Sequence, residues 1–78
     1  MLNIGFNHYI PIGMITSILD ATSSSSLKKF IEKKKESNEF ISTASGRKML
    51  SLILTADGSV YSSAVGSNTL QDRYRRLR

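Results

Sequence analysis

The sequence predicts a small α+β domain in the order ββ-α-βββ-α, with an antiparallel-rich sheet, one main helix and a short C-terminal helix. Three observations predict it. Leu2, Ile4 and Phe6 alternate with polar or small residues at a period of two, as a half-buried strand requires. Leu27, Phe30 and Ile31 fall at i, i+3 and i+4, the apolar stripe of a surface helix. Asp57-Gly58 separates two runs of strand-forming residues, which is a hairpin signature.

Taken in order, residues 2–7 form the first strand with Leu2, Ile4 and Phe6 facing the core. Residues 8–13 hold Pro11, the single proline, and should break or bend the chain. Residues 14–19 are apolar and β-branched enough for a second strand. The run Asp20-Ala-Thr-Ser-Ser-Ser-Ser26 resists strand pairing, and one of its serines should cap the helix over residues 27–38. Lys29 stands where a capping box begun at Ser26 would need Glu. With five lysines and two glutamates, that helix has a cationic outer face. Its last turns carry no apolar residue and should project into solvent or fray.

Residues 39–45 give a third strand anchored by Phe40 and Ile41, and Gly46-Arg47-Lys48 forms a tight corner after it. Residues 49–55 and 59–65 then pair as a hairpin through a type I′ turn at Asp57-Gly58, with Leu50, Leu52 and Leu54 on its core face. Thr69-x-x-Asp72 resembles a capping box for the final helix, whose stripe is Leu70, Tyr74 and Leu77. With 78 residues and no internal repeat, the chain is expected to be one domain over residues 1–78.

Composition narrows the function. Lys and Arg number 11 against 6 acidic residues, for a net charge of +5 and a pI near 9.9. Such a surplus points to a phosphate-rich partner, either nucleic acid or an anionic surface. There is no cysteine and one histidine, His8, so disulfides and Cys- or His-rich metal sites are excluded. A core from so short a chain supplies only about 3–5 kcal/mol, which leaves self-association as the natural extra source of stability. No run approaches the roughly 18 apolar residues of a membrane span. The first lysine is Lys28, so no cationic signal-peptide region precedes it, and a cytoplasmic location is expected.

Catalysis is not expected, nor is a cofactor or small-molecule substrate. The carboxylates are scattered: Asp57 serves its turn, and Glu32 and Glu36 lie beside lysines at pairing distance. Only His8 could act as a base for the many serines, and nothing marks a nucleophile elbow. His8 reads more simply as a strand-end residue with a local hydrogen bond.

Gly5-Phe6-Asn7 and Gly46-Arg47-Lys48 both lack the spacing of a nucleotide-binding P-loop. The second still suits a generic phosphate contact, because a glycine corner exposes backbone N–H groups and frees two long cations. Its plainer reading is a turn with two solvated charges. Lys28, Lys29 and Lys33 to Lys35 read as a solvated helix face. Arg73, Arg75, Arg76 and Arg78 divide between a frayed basic tail and a phosphate-tracking helix end, and because arginine forks a phosphate bidentately, four in six residues are more suggestive than four lysines would be. Phe6, Tyr9 and Tyr61 read as core or subunit contacts rather than base-stacking platforms.

Asn3-Ile-Gly-Phe6, Leu27-Lys-Lys-Phe-Ile31, Ile41-Ser-Thr-Ala-Ser-Gly-Arg-Lys48 and Ser62-Ser-Ala-Val65, in that order, resemble the RemA family of small bacterial regulators. The resemblance covers most of residues 2–73. It implies a LytTR-like subunit that closes into a homo-oligomeric ring and binds double-stranded DNA along its rim, mainly through the backbone, for transcription regulation or DNA architecture at the nucleoid. It assigns Arg47 to a DNA-contact arginine and Lys48 to the neighbouring basic position; on the basic surface read above, Lys28, Lys29, Arg73, Arg75 and Arg76 would be the supporting DNA contacts. Three positions depart from the family pattern. Met14 stands where a second DNA-binding arginine is usual, Ser23 to Ser26 replace a proline-containing approach to the helix, and Leu50 replaces a basic residue after the corner. The extra arginines at 75, 76 and 78 would compensate. An RNA-binding module on the same basic surface, or a structural oligomer without DNA binding, are the alternatives.

Overall fold

A computed structural model describes residues 1–22 and 26–77. The serine cap expected for the main helix and Arg78 lie outside the described residues. The chain folds as a small α+β domain whose sheets are mostly antiparallel, as the periodicities require.

Strands β1 (Leu2–Gly5) and β2 (His8–Ile10) pair as an antiparallel hairpin where the sequence led us to expect a break. Phe6 (φ +51°) and Asn7 (φ +64°) make the two-residue link, and two successive positive φ values are the mark of a type I′ turn. Phe6 therefore leaves the core face it was expected to occupy and is 46% exposed. Pro11 comes one residue later than β2 and opens a short 3₁₀ turn, Ile12–Met14, with φ preset at −57° and no N–H to lose. The Met14 N–H closes this turn on the Pro11 carbonyl at 3.0 Å, so Met14 precedes the next strand rather than beginning it.

The larger sheet runs in the order β3-β5-β6-β4, from β3 (Ile15–Asp20), β4 (Phe40–Ser42), β5 (Ser51–Thr55) and β6 (Val60–Ser63). All neighbours are antiparallel except β4 and β6, which are parallel. β5 lies inside this sheet and is covered on both faces. Leu52 is fully buried as expected, Leu50 and Leu54 are half-buried, and Ile53 on the opposite face is fully buried too. A strand buried on both sides reads as a continuous apolar run, so alternation alone could not reveal Ile53. Burying a side chain of this size contributes about 2 kcal/mol.

The two faces carry different cover. Ile53 packs with Leu2, Ile4 and Ile10 of the small hairpin and with Leu70 of helix α2 (Ser67–Leu77). Leu54 and Val60, paired across β5 and β6 on the other face, share a shallow groove with Phe30 of helix α1 (Ser26–Glu36). α1 stops at Glu36 because Asn38 takes the left-handed conformation (φ +59°), and the Glu39 N–H returns to the Lys34 carbonyl at 3.0 Å. α2 begins at Ser67, its first turn closed by the Leu70 N–H on the Gly66 carbonyl, so Thr69 lies within the helix and does not cap it.

The β5–β6 turn also differs from expectation. Gly58 has φ +88° but Asp57 is not left-handed, and the Gly58 N–H bonds to the Thr55 carbonyl while Thr55 pairs with Ser59. This is a three-residue loop, a type I turn followed by a left-handed glycine, in place of type I′. The Asp57 carboxylate accepts from Thr55 Oγ1 at 2.6 Å and from the Ser59 N–H at 3.0 Å, which favours that longer loop. Among the described residues Glu32 and Glu36 make no ion pair, and the pairs formed there are Lys34–Glu39 and Arg76–Asp72.

Candidate nucleic-acid interface

The loop between β4 and β5 carries the corner. The Arg47 N–H donates to the Ala44 carbonyl at 3.0 Å, and Ser45 (φ +52°) and Gly46 (φ +79°) between them are both left-handed. This is again the type I′ pattern, and Gly46 meets its second φ requirement without steric cost. The loop is pinned at its base. The Thr43 N–H and Oγ1 both donate to the Ser62 carbonyl, and the Leu50 N–H donates to the Ser63 carbonyl at 2.8 Å. Arg47 and Lys48 project from this anchored frame and are exposed.

The Arg47 guanidinium carbon lies 5.6 Å from the centroid of the Phe6 ring. Two left-handed turns far apart in sequence therefore meet through one cation–aromatic contact. A bulky residue at positive φ is an outlier, costing about 1–2 kcal/mol. On its other side Arg47 borders a groove of about 290 Å³ with Lys35, Ile31, Phe40, Ser42 and Met49. Lys35 Nζ stands 5.2 Å from the Phe40 ring centroid. Lys35 thus leaves the solvated face expected of it, since the packing of α1 beside β4, which pairs in parallel with β6, brings the helix end to this corner.

Lys28 and Lys29 lie exposed in the first turn of α1. Lys28 and Lys35 are seven residues apart, so they stand on one stripe of α1 roughly 10 Å apart along its axis. Lys34, by contrast, is folded inward: its Nζ donates to the Gly58 carbonyl at 3.1 Å and lies 3.5 Å from Glu39 Oε1.

The C-terminal arginines occupy the other side of the sheet, with α2, so they do not join Lys28 and Lys29 in one surface. They also differ from one another. Arg73 Nη1 donates to the Asn3 carbonyl at 2.9 Å, tying α2 to β1. Arg76 pairs with Asp72 at 3.1 Å, and Arg75 is exposed with no such partner among the described residues.

Of the six acidic residues, Glu32 and Glu36 lie exposed on α1, Asp72 pairs with Arg76 on α2, and Asp20, Glu39 and Asp57 are held in turns. Asp20 is held below the usual carboxylate range by the Thr22 hydroxyl and N–H, and Asp57 by the Thr55 hydroxyl and the Ser59 N–H. Glu39 is lowered by the Ser37 hydroxyl and by the charge of Lys34. Among the described residues no three His, Asp or Glu side chains gather where they could hold a metal ion, and no helix is long and apolar enough to cross a membrane.

The family described as RemA-like, extracellular matrix regulatory protein A-like, matches residues 1–74. The chain belongs to the RemA-like family. It is 28% identical over 78 residues to a protein of Desulfotalea psychrophila, covering all of this chain and 69% of that one. It is 30% identical over 74 residues to one of Maridesulfovibrio salexigens, covering 95% and 85%. A protein of Coprothermobacter proteolyticus is 35% identical over 72 residues, covering 92% and 68%. All three are named as regulatory proteins. The match extends over both turns that meet at Phe6 and Arg47.

Proposed function

We propose that this RemA-like chain is a regulator that binds double-stranded DNA through backbone phosphates, as a ring-shaped homo-oligomer. The observation that carries the reading is the exposed Arg47 at a pinned corner, its guanidinium beside the Phe6 ring and its groove shared with Lys35. Arg47 is the primary contact and Lys48 flanks it. Lys28 and Lys29 extend the cationic surface along α1, while Arg75 and Arg76 offer a second patch on the α2 side. Arg73 contributes less to DNA because its guanidinium is tethered to the Asn3 carbonyl through Nη1.

Oligomerisation is supported by other apolar side chains left exposed: Tyr9, Met14, Ile41 and Leu77 are each more than a third exposed. Each subunit offers few cations, and repetition makes later contacts intramolecular, raising avidity steeply. Binding to a mixed-sequence duplex across a salt series, with mass in solution at two of those salt concentrations, tests the reading. Arg47→Ala should weaken all duplexes alike and lower the salt slope by about one. Duplex binding that responds to neither salt nor Arg47 overturns DNA recognition. Met14, exposed in the 3₁₀ turn, favours a second reading as a structural oligomer without DNA binding. A ring with no duplex affinity at low salt would select it.

A further inference from the structure

We propose that Phe6 is the positioning residue for Arg47: the β1–β2 turn holds an aromatic ring beside the guanidinium and so presets the arginine for phosphate. The inference rests on the reading of Arg47 as a phosphate contact and adds a second residue to it.

The geometry around Phe6 has no explanation in the core. Gly5 (φ +105°), Phe6 (φ +51°) and Asn7 (φ +64°) are three consecutive left-handed residues. Asparagine suits such a position, and glycine more so, whereas a large aromatic does not. The strain brings only partial burial in return, since Phe6 remains 46% exposed. What the conformation does achieve is placement. The hairpin is fixed from below by a bulge in which Ile4 and Gly5 together face His8, and by Ser63 Oγ donating to the Ile4 carbonyl at 2.6 Å. The turn therefore delivers the ring to a defined place, 5.6 Å from the Arg47 guanidinium carbon.

A cation–π contact holds a guanidinium beside a ring without consuming its N–H donors in hydrogen bonds. Those donors are the ones that grip a phosphate bidentately. An exposed arginine normally gives up side-chain freedom when it binds; one already lying on a ring gives up less. The corner itself is pinned through Thr43 and Leu50, so both partners of the contact stand on fixed backbone.

The test is a double-mutant cycle on the full-length chain: Phe6→Asn, Arg47→Ala and both together, against one labelled mixed-sequence DNA duplex. Asparagine accepts the left-handed conformation, so Phe6→Asn should leave the thermal midpoint unchanged or higher while weakening the duplex roughly two- to fivefold. It should have no further effect once Arg47 is alanine, and Phe6→Tyr should restore binding. In solution NMR the Arg47 side-chain protons should lose their ring-current shift in Phe6→Asn. If Arg47→Ala weakens binding but Phe6→Asn does not, or the two losses simply add, positioning by Phe6 is overturned while the phosphate reading stands. If Arg47→Ala has no effect, the phosphate reading itself fails.

Discussion

Ser63 Oγ donates to the Ile4 carbonyl at 2.6 Å and accepts the Val65 N–H at 3.0 Å, linking the first strand to the end of β6 across most of the chain. Ser63 and its bond to Ile4 are fully buried, so the Ile4 carbonyl cannot turn to water instead. Ser63→Ala should cost about 1–3 kcal/mol, the penalty for leaving buried polar groups unpaired. Urea unfolding followed by circular dichroism reads this as a lower midpoint with an unchanged slope. Ser62, whose carbonyl rather than hydroxyl carries the contact to Thr43, should lose less on the same substitution.

That serine pair shows where the sequence was legible and where it was not. Alternation placed Leu2, Ile4 and Leu52 inside, and helical spacing found the Leu70–Tyr74 stripe, because each signal is local. Burial of Ile53, pairing of β4 with β6 and the role of Ser63 depend on what covers a strand from elsewhere in the chain. The turns were confused for a related reason. Asp57-Gly58 has the preferred composition for type I′ but forms a three-residue loop, whereas Phe6-Asn7, with an unfavourable aromatic, takes the I′ geometry. Local propensity is overridden when tertiary contacts fix both ends of a loop. At the site, Gly46-Arg47-Lys48 was legible as a corner, but Phe6 and Lys35 were not, since neither is near Arg47 in sequence.

The arginines of α2 should separate by function despite their adjacency. Arg73 bridges to the Asn3 carbonyl, so Arg73→Ala should lower stability by about 1 kcal/mol. Arg75 makes no such contact among the described residues, and Arg75→Ala should leave the unfolding midpoint within about 0.5 kcal/mol of the parent. In duplex binding the order reverses: Arg75→Ala should reduce the salt slope, whereas Arg73→Ala should leave it nearly unchanged at temperatures where the chain is folded. Equal effects of both variants on both measurements would contradict the division.

Gly58 links the β5–β6 turn to the end of α1. Its φ of +88° disfavours any side chain, and a Cβ there would stand 2.6 Å from Glu39 Oε2. The same carboxylate accepts from Ser37 Oγ at 2.8 Å and pairs with Lys34, so displacing it disturbs the helix end as well. Gly58→Ala should therefore destabilise by about 1–2 kcal/mol. In a Glu39→Ala background the clash is gone and only the backbone strain persists, so the cost should fall toward 1 kcal/mol. An identical cost in both backgrounds would show that Glu39 yields freely.

Acid should destabilise the fold through the carboxylates held in turns. Asp20, Glu39 and Asp57 are all lowered in the folded chain, by the hydroxyls of Thr22, Ser37 and Thr55 first of all. A lowered folded value means that the unfolded chain binds more protons as the pH falls. The stability these groups contribute is therefore complete above the unfolded values, near 4 for both residue types, and is lost as pH drops through the folded ones. Urea midpoints should be flat from neutrality to about pH 5.5 and decline below about pH 4.5. Asp57→Asn keeps an oxygen that can accept from Thr55 and Ser59 but cannot titrate, so it should reduce the slope of that decline. An unchanged acid slope in Asp57→Asn would assign the acid sensitivity to Asp20 and Glu39 instead.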